Sequence, residues 1–141
     1  MNIALWLQRT AQQYPDRPAI ALGREVLWNY RGFAESAARF ATWMRAQGLA
    51  PGDRVALFMY NTPDYLPLMW GAWWAGVAVV PINAKLHAKE AAFICSHSGS
   101  KIVFCGAEAR DELEAVLRDG GNAGPVLSSF AFLRYASIGP S

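Results

Sequence analysis

The chain has 141 residues, 53% hydrophobic and 17% charged, with a net charge of +2. Its length fits one domain or a piece of a larger one, and the lack of any basic run argues against a nucleic-acid partner. Because a typical soluble domain is about 25% charged, this composition predicts a sheet covered on both faces or part of a larger protein. Cys95 and Cys105 lie in apolar stretches without metal-ligand spacing, which predicts buried, reduced thiols in a cytoplasmic protein.

The first part of the chain predicts two helices with a hairpin between them. A helix over residues 3–13 would carry four apolar side chains near one face: Ile3, Trp6, Leu7 and Ala11. A tight hairpin is predicted over residues 19–28 around a Gly-Arg turn. Asn29 is a suitable cap for a second helix over residues 30–47.

The middle of the chain predicts a strand, a helix and another strand. Residues 54–59 are nearly all apolar, as in a strand buried on both faces. Thr62 is predicted to cap a helix that runs to Ala75 and stops at a glycine. Residues 77–82 then form a second buried strand, so the carboxyl ends of the two strands are expected to border a ligand site.

One uncharged stretch of 18 residues, from Tyr65 to Ile82, has the length of a membrane span. It contains two prolines and two glycines, and its second part is β-branched. A helix that stops at Gly76 before a strand fits this pattern better than a span. A peripheral membrane protein that uses the tryptophans of this stretch is an alternative.

The last third predicts two more helices and another strand. A helix over residues 88–96, a strand over 101–105 and a helix over 108–118 continue the alternation, and a glycine-rich break follows. Residues 126–141 suit either one more strand or a tail. The whole pattern predicts an α/β fold, a mostly parallel sheet with helices on both faces.

Four segments together resemble one family, the AMP-forming acyl-CoA synthetases and their adenylate-forming relatives. They are Val26–Gly48, Trp74–Asn83, Lys85–Glu90 and Gly99–Lys101. The resemblance covers residues 1 to about 118, so we expect an N-terminal α/β subdomain of the adenylate-forming fold over residues 1–118. Residues 119–141 are predicted to be a linker and an uncharacteristic tail.

The resemblance implies a complete enzyme that activates a carboxylic acid with ATP and Mg²⁺ and passes the acyl group to coenzyme A. The family's phosphate loop, similar to Ser-Gly-Thr-Thr-Gly-x-Pro-Lys-Gly, does not occur in these 141 residues, nor does the GxxxxGK[ST] pattern. We therefore expect a fragment that is inactive alone, binds none of these cofactors tightly, and self-associates through an exposed sheet edge. The alternative is a non-catalytic, doubly wound binding module.

Individual side chains give few candidates, and no catalytic or metal-binding residue is assigned. Lys85 occupies a position where the family often has an arginine, which in some members contacts the phosphates of coenzyme A; the alternative is an exposed loop lysine. His87 is predicted to be a surface loop residue and not a base or ligand, since histidine is a poor helix cap. His97 is predicted to be structural, because Ser96, His97 and Ser98 are adjacent on a helix and point in different directions. The tryptophans at 70, 73 and 74 share a helix face, as either an acyl-chain wall or core packing.

Overall fold

A computed structural model describes residues 1–121 and 126–127 of the chain. These residues form five helices: α1 (Ala4–Gln13), α2 (Tyr30–Ala46), α3 (Tyr65–Trp74), α4 (Ala88–Ser98) and α5 (Arg110–Asp119). They also form six strands: β1 (Pro18–Leu22), β2 (Glu25–Asn29), β3 (Arg54–Phe58), β4 (Ala78–Ile82), β5 (Ile102–Cys105) and β6 (Val126–Leu127). A 3-10 turn at Ala107–Ala109 leads into α5.

Four of the strands form one parallel sheet in the order β4-β3-β5-β6. In its centre, Leu57 of β3 lies opposite Pro81 of β4 on one side and Phe104 of β5 on the other. Strands β1 and β2 pair antiparallel as a separate hairpin. The alternation of strands and helices therefore produces the predicted α/β fold with a parallel main sheet.

Successive residues of β3 belong to two different cores. Val55 and Leu57 pack with α2 and α3, whereas Ala56 and Phe58 pack with α4 and α5. All four side chains are at least 96% buried. The continuous apolar run predicted a strand buried on both faces, and the helices on the two sides of the sheet confirm it.

Several local predictions match the structure closely. The Asn29 side chain accepts a hydrogen bond from the Gly32 amide at 2.8 Å and so caps α2. Gly76 and Gly99 have φ angles of 77° and 67° at the ends of α3 and α4, where the left-handed conformation favours glycine. In the described part of the chain, no helix is long and apolar enough to cross a membrane.

The prediction for the apolar face of α1 was partly wrong. Leu7 is buried, but Ile3 and Trp6 keep 41% and 59% of their surface exposed. Leu7 joins a small core with Phe33 and Ala37 of α2. Ala4 is also 3% exposed and Ala11 adjoins the same core, so α1 buries only a narrow stripe.

The predicted cap of α3 was also wrong. The helix begins at Tyr65 and has no side-chain cap. The backbone amide of Tyr65 donates to the carbonyl of Thr62 at 3.0 Å, so residues 62–65 form a turn before the helix. The threonine followed by a proline marks the turn, and the helix starts two residues later than predicted.

His87 corrects a third expectation, because it does cap a helix. The Lys89 amide donates to its Nδ1 at 3.3 Å, and its own amide donates to the Glu90 carboxylate at 2.9 Å. The two bonds give partners to the backbone amides of His87 and Lys89, which cannot bond to a carbonyl within the helix. A ring nitrogen that accepts a hydrogen bond here replaces the hydroxyl or carboxylate of a usual cap.

The end of the chain adds one short strand to the sheet. Val126 and Leu127 of β6 pair in parallel with Val103 and Phe104 of β5, as the strand alternative for this stretch predicted. The rest of residues 128–141 and the glycine-rich break at 122–125 lie outside the described residues. The domain boundary at residue 118 stays a prediction.

Candidate functional site

A cleft of about 310 Å³ lies at the carboxyl ends of β3 and β4. It is lined by the residues that follow each strand and by the start of α3: Met59, Tyr60, Asn61, Tyr65, Pro81, Ile82, Asn83, Ala84 and Lys85. Phe58 of β3 lies opposite Ile82 of β4, so the two loops leave the sheet side by side. This is the position where parallel sheets usually bind ligands.

Asn83 holds the loop that carries Lys85. Its side-chain oxygen accepts a hydrogen bond from the Lys85 amide at 3.0 Å, and its backbone carbonyl accepts from the Leu86 amide at 3.1 Å. Asparagine is favoured in such turns because its side chain imitates a backbone carbonyl. The Asn83 turn therefore fixes the backbone from which the exposed Lys85 side chain extends.

The cleft has a positive charge and no negative one among its lining residues. Lys85 supplies the charge. Burial raises the pKa of the Tyr65 hydroxyl above its ordinary value, so this side chain stays a neutral hydrogen-bond donor at physiological pH. A cleft with a single cation on its rim raises the local concentration of anionic ligands.

The sequence analysis named Lys85 but missed Asn61 and Tyr65. Both line the cleft from the β3 side. A signal was available for Asn61, since it lies just beyond the carboxyl end of a predicted buried strand. Tyr65 had no such signal, because it was expected inside a helix that began at Pro63.

The tryptophans of α3 contact the core and one another. Trp70 packs edge-on against Phe33, with ring centroids 6.2 Å apart, and against Trp73 at 5.1 Å. Trp70 and Trp74 adjoin the core formed by α1, the hairpin and α2. None of the three lines the cleft beside Lys85, which favours the core-packing interpretation.

His97 and Ser98 at the end of α4 contact other partners. The His97 ring stacks on Phe93 with centroids 5.6 Å apart. The Ser98 hydroxyl instead bonds the Ser100 hydroxyl at 2.8 Å and the Cys95 carbonyl. These contacts fix the turn after α4.

The two cysteines are free thiols in the core between the sheet and α4–α5. Burial raises the pKa of Cys95 to about 11 and that of Cys105 to about 12. Both side chains are therefore protonated and unreactive at neutral pH. Over residues 1–121 and 126–127, no group of three or more His, Cys, Asp or Glu side chains is placed to hold a metal ion.

The fold is a parallel α/β domain with a cleft at the carboxyl ends of two adjacent strands. Residues 7–134 match the family model of the AMP-binding enzymes. The chain belongs to this family.

Relatives of known activity agree with this assignment. The chain is 36% identical over 126 residues to long-chain-fatty-acid–CoA ligase FadD13 of Mycobacterium tuberculosis. The matched region is 89% of this chain and 25% of the relative. It is 32% identical over 115 residues to a feruloyl-CoA synthase of an Amycolatopsis species, and the matched region is 82% of this chain and 23% of that relative. The chain thus spans about a quarter of the length of these relatives.

Solved structures place the same fold at the N-terminus of such enzymes. A Mycobacterium tuberculosis fatty acyl-CoA synthetase superposes with a TM-score of 0.84 at 34% identity, over 94% of this chain and 28% of that one. The N-terminal domain of FACL13 from the same organism superposes with a TM-score of 0.84 at 32% identity, over 100% of this chain and 38% of that one. The chain therefore has the fold of the N-terminal part of the adenylate-forming enzymes, as the resemblance implied.

Proposed function

We propose that this chain is the N-terminal portion of an ATP-dependent, AMP-forming carboxylic acid–CoA ligase, and that it is inactive alone. The observation that carries the proposal is the match of nearly the whole chain to one end of such ligases. The curated relatives named above act on a long-chain fatty acid and on ferulic acid. A role in the metabolism of fatty acids or similar carboxylic acids follows for the complete enzyme.

The complete enzyme would carry out two coupled reactions. The acid's carboxylate attacks the α-phosphorus of ATP, forming an acyl-adenylate and releasing pyrophosphate. The thiol of coenzyme A then attacks the acyl carbon, forming the thioester and releasing AMP. Mg²⁺ would neutralise the phosphate charges in the first step. The sheet and helices of this chain would provide a rigid support for the active site of the complete enzyme.

The residues of this chain explain why we expect it to have no catalytic activity without the rest of the enzyme. A phosphate-binding loop rich in Gly, Ser and Thr does not occur in its sequence, and such a loop supplies the backbone amides that hold the phosphates. The described carboxylates and histidines form no metal-binding cluster. We therefore expect ATP, Mg²⁺ and coenzyme A to bind this chain weakly.

Activity is tested by incubating the purified chain with ATP, Mg²⁺, coenzyme A and a panel of aliphatic and aromatic acids. We expect pyrophosphate and AMP release at the level of the blank, with a complete ligase such as FadD13 as the positive control. Release well above the blank, retained through further purification, would contradict the inactive-fragment proposal.

Lys85 is the residue that we propose to contact a phosphate of coenzyme A. It lies on the rim of the cleft, is exposed, and has no acidic neighbour among the lining residues. Its ammonium attracts phosphate as a point charge and lacks the two-pronged geometry of arginine. Arginine at this position should therefore bind more tightly than the native lysine.

The Lys85 contact is tested by titrating the chain with coenzyme A, with calorimetry or NMR as the readout. Lys85→Ala should weaken binding about two- to fivefold, the range of an exposed ion pair, and Lys85→Arg should match or exceed the native affinity. Lys89→Ala is the control, because it removes a nearby exposed lysine that does not line the cleft. Equal affinities for the native chain and Lys85→Ala would show that Lys85 is an ordinary surface lysine.

A cytoplasmic location is part of the same proposal. It is supported by the two free thiols in the core, since oxidising compartments favour disulfides. Fractionation of cells that express the chain, with an antibody readout, would test it.

A further inference from the structure

The His87 ring contacts two helices through its two nitrogens. Its Nδ1 accepts a hydrogen bond from the Lys89 amide of α4 at 3.3 Å. Its Nε2 lies 3.7 Å from Oε1 of Glu112 on α5. The ring and the Glu112 side chain are each 63% exposed, so protons from solvent reach both groups.

These two contacts require one protonation state of the ring. An imidazole nitrogen accepts a hydrogen bond only while it carries no proton, so the bond from Lys89 requires the neutral tautomer with its proton on Nε2. The Glu112 carboxylate attracts a proton on that same nitrogen, because it lies on the Nε2 side of the ring. Both neighbours therefore favour the tautomer in which His87 caps α4.

Protonation of the ring reverses this agreement. Imidazolium carries a proton on each nitrogen, so an N–H group of the ring would face the N–H group of Lys89. The positive end of the helix dipole at the start of α4 also opposes a cation there. The Glu112 carboxylate, in contrast, attracts the charged ring. One protonation event therefore breaks the contact with α4 and strengthens the contact with α5.

The other charged groups near the ring belong to its own segment and to α5. The Glu90 carboxylate accepts from the backbone amide of His87 at 2.9 Å, and Lys85 and Lys89 flank the histidine in the sequence. On α5, Glu114 pairs with two arginines of its own helix. Strand β4, which leads into the loop before His87, has no charged residue. Glu112 is therefore the acidic side chain that faces the ring from a neighbouring element.

We propose that His87 is a protonation switch at the start of α4. The neutral ring caps the helix, and the charged ring leaves the Lys89 amide and pairs with Glu112. Histidine side chains change charge between about pH 5 and 8, so the first turn of α4 loosens as pH falls through that range. Serine or threonine, which are usual caps, would not respond to pH there. The switch does not depend on the proposed ligase function.

The switch is tested by NMR of the whole ¹⁵N-labelled chain over the range from about pH 8 to about pH 5.5, in which histidine titrates. At the high end we expect the His87 ring to carry its proton on Nε2, and at the low end on both nitrogens. The protection factor of the Lys89 amide, which corrects hydrogen exchange for the intrinsic effect of pH, should fall about threefold or more. The Leu57 amide in the centre of the sheet should stay protected and so verify that the fold is intact.

Two pairs of variants locate the switch. His87→Asn supplies a good cap that does not titrate, so Lys89 protection should stay constant with pH; His97→Asn, at the chain's other histidine, should keep the native pH dependence. Glu112→Gln removes the carboxylate that stabilises the charged ring, so the loss of Lys89 protection should move to lower pH. Glu114→Gln removes a carboxylate of the same helix that pairs with arginines and should leave the midpoint in place. Circular dichroism verifies that each variant is folded.

Three results would overturn the proposal. A neutral His87 ring with its proton on Nδ1 at high pH could not accept from Lys89. Lys89 protection that stays constant in the native chain, or falls equally in His87→Asn, would show that the ring does not control the start of α4. Equal midpoints in Glu112→Gln and Glu114→Gln would show that the charged ring does not pair with α5.

Discussion

Gly71 decides how closely α2 and α3 approach each other. A Cβ atom at this position would lie 2.7 Å from the Phe40 Cβ and 2.8 Å from the Ala37 carbonyl oxygen. Both distances are well inside van der Waals contact, and the second neighbour is backbone that cannot rotate away. The glycine was noticed in the sequence only as an interruption of an apolar run; its packing role depends on a helix 30 residues earlier in the chain.

Gly71→Ala should therefore destabilise the fold. In an isolated helix the change would favour folding by about 1 kcal/mol, but the forced separation of α2 from α3 should outweigh this. We expect a net loss of about 2 kcal/mol in the free energy of unfolding, measured by urea denaturation. Gly120→Ala is the control, since its new Cβ would meet nothing closer than 3.6 Å; equal effects of the two changes would contradict the close-packing explanation.

Asp53, just before β3, connects the turn at Ala50 to Lys101, just before β5. Its carboxylate accepts a hydrogen bond from the Ala50 amide at 2.8 Å and pairs with the Lys101 ammonium at 3.0 Å. The Ala50 bond and then Lys101 hold the pKa of Asp53 below its ordinary value. A carboxyl group whose pKa falls on folding stabilises the native state above its unfolded pKa, and that stabilisation is lost as pH falls through the folded value.

Asp53→Asn should lower the urea midpoint at neutral pH, and the difference from the native chain should shrink as pH falls below about 4. The reason is that protonation at low pH removes the negative charge of the native Asp53 carboxylate, and with it the favourable interactions with the Ala50 amide and the Lys101 ammonium. The substitution has already removed that charge at every pH. Urea denaturation at a series of pH values measures this. Glu25→Gln, at an exposed carboxylate of the hairpin, should show no such convergence; a difference that stays constant with pH in Asp53→Asn would contradict the assignment.

At the scale of elements, the buried strands were the most predictable part of the chain. The predicted limits of β3, β4 and β5 fall within one residue of the observed ones. Continuous apolar runs between glycine stops occur in few other contexts, because a strand buried on both faces needs every side chain to be apolar. The start of α3 was predicted less well, since the turn at residues 62–65 uses the same residue types as a helix cap.

The cap of α4 gives a prediction at this scale. His87→Ala should destabilise the chain by about 0.5 kcal/mol, because the Lys89 amide loses its acceptor. His87→Asn should restore the stability, since asparagine is a good cap. Thermal unfolding measures both variants.

The contact between His87 and Glu112 of α5, at 3.7 Å, is the competing explanation for such a loss. Glu112→Gln removes the carboxylate from this contact and keeps the cap, so it should cost little. If Glu112→Gln destabilises the chain as much as His87→Ala does, the link to α5 and not the cap is responsible.

At the scale of the whole molecule, the sheet ends at β4 on one side within the described residues. The outer edge of β4 adjoins a shallow cavity of about 520 Å³ lined by Met1, Ile3 and Trp73 among others. An uncovered edge strand beside apolar side chains is a template for pairing with another chain. The chain spans about a quarter of the length of its relatives.

We expect the isolated chain to self-associate through this edge as its concentration rises. Ala78→Lys, at an exposed position of β4, should shift the equilibrium toward monomer, because a charge on an edge strand opposes pairing. Sedimentation velocity over a concentration series measures this. Ala46→Lys adds the same charge at an exposed position at the end of α2 and should not change association; a monomer at every concentration would contradict the prediction.

The sequence by itself determined the α/β class, the two-sided burial of the sheet, most helix ends and the family. These depend on local patterns, since apolar runs, glycine stops and capping residues act over only a few neighbours. Tertiary structure alone decided that Gly71 sits against Ala37, that α1 buries only a narrow stripe, and that Asn61 and Tyr65 line the cleft beside Lys85. Such features require segments that are distant in sequence to meet, and no pattern within one segment encodes the shape of another.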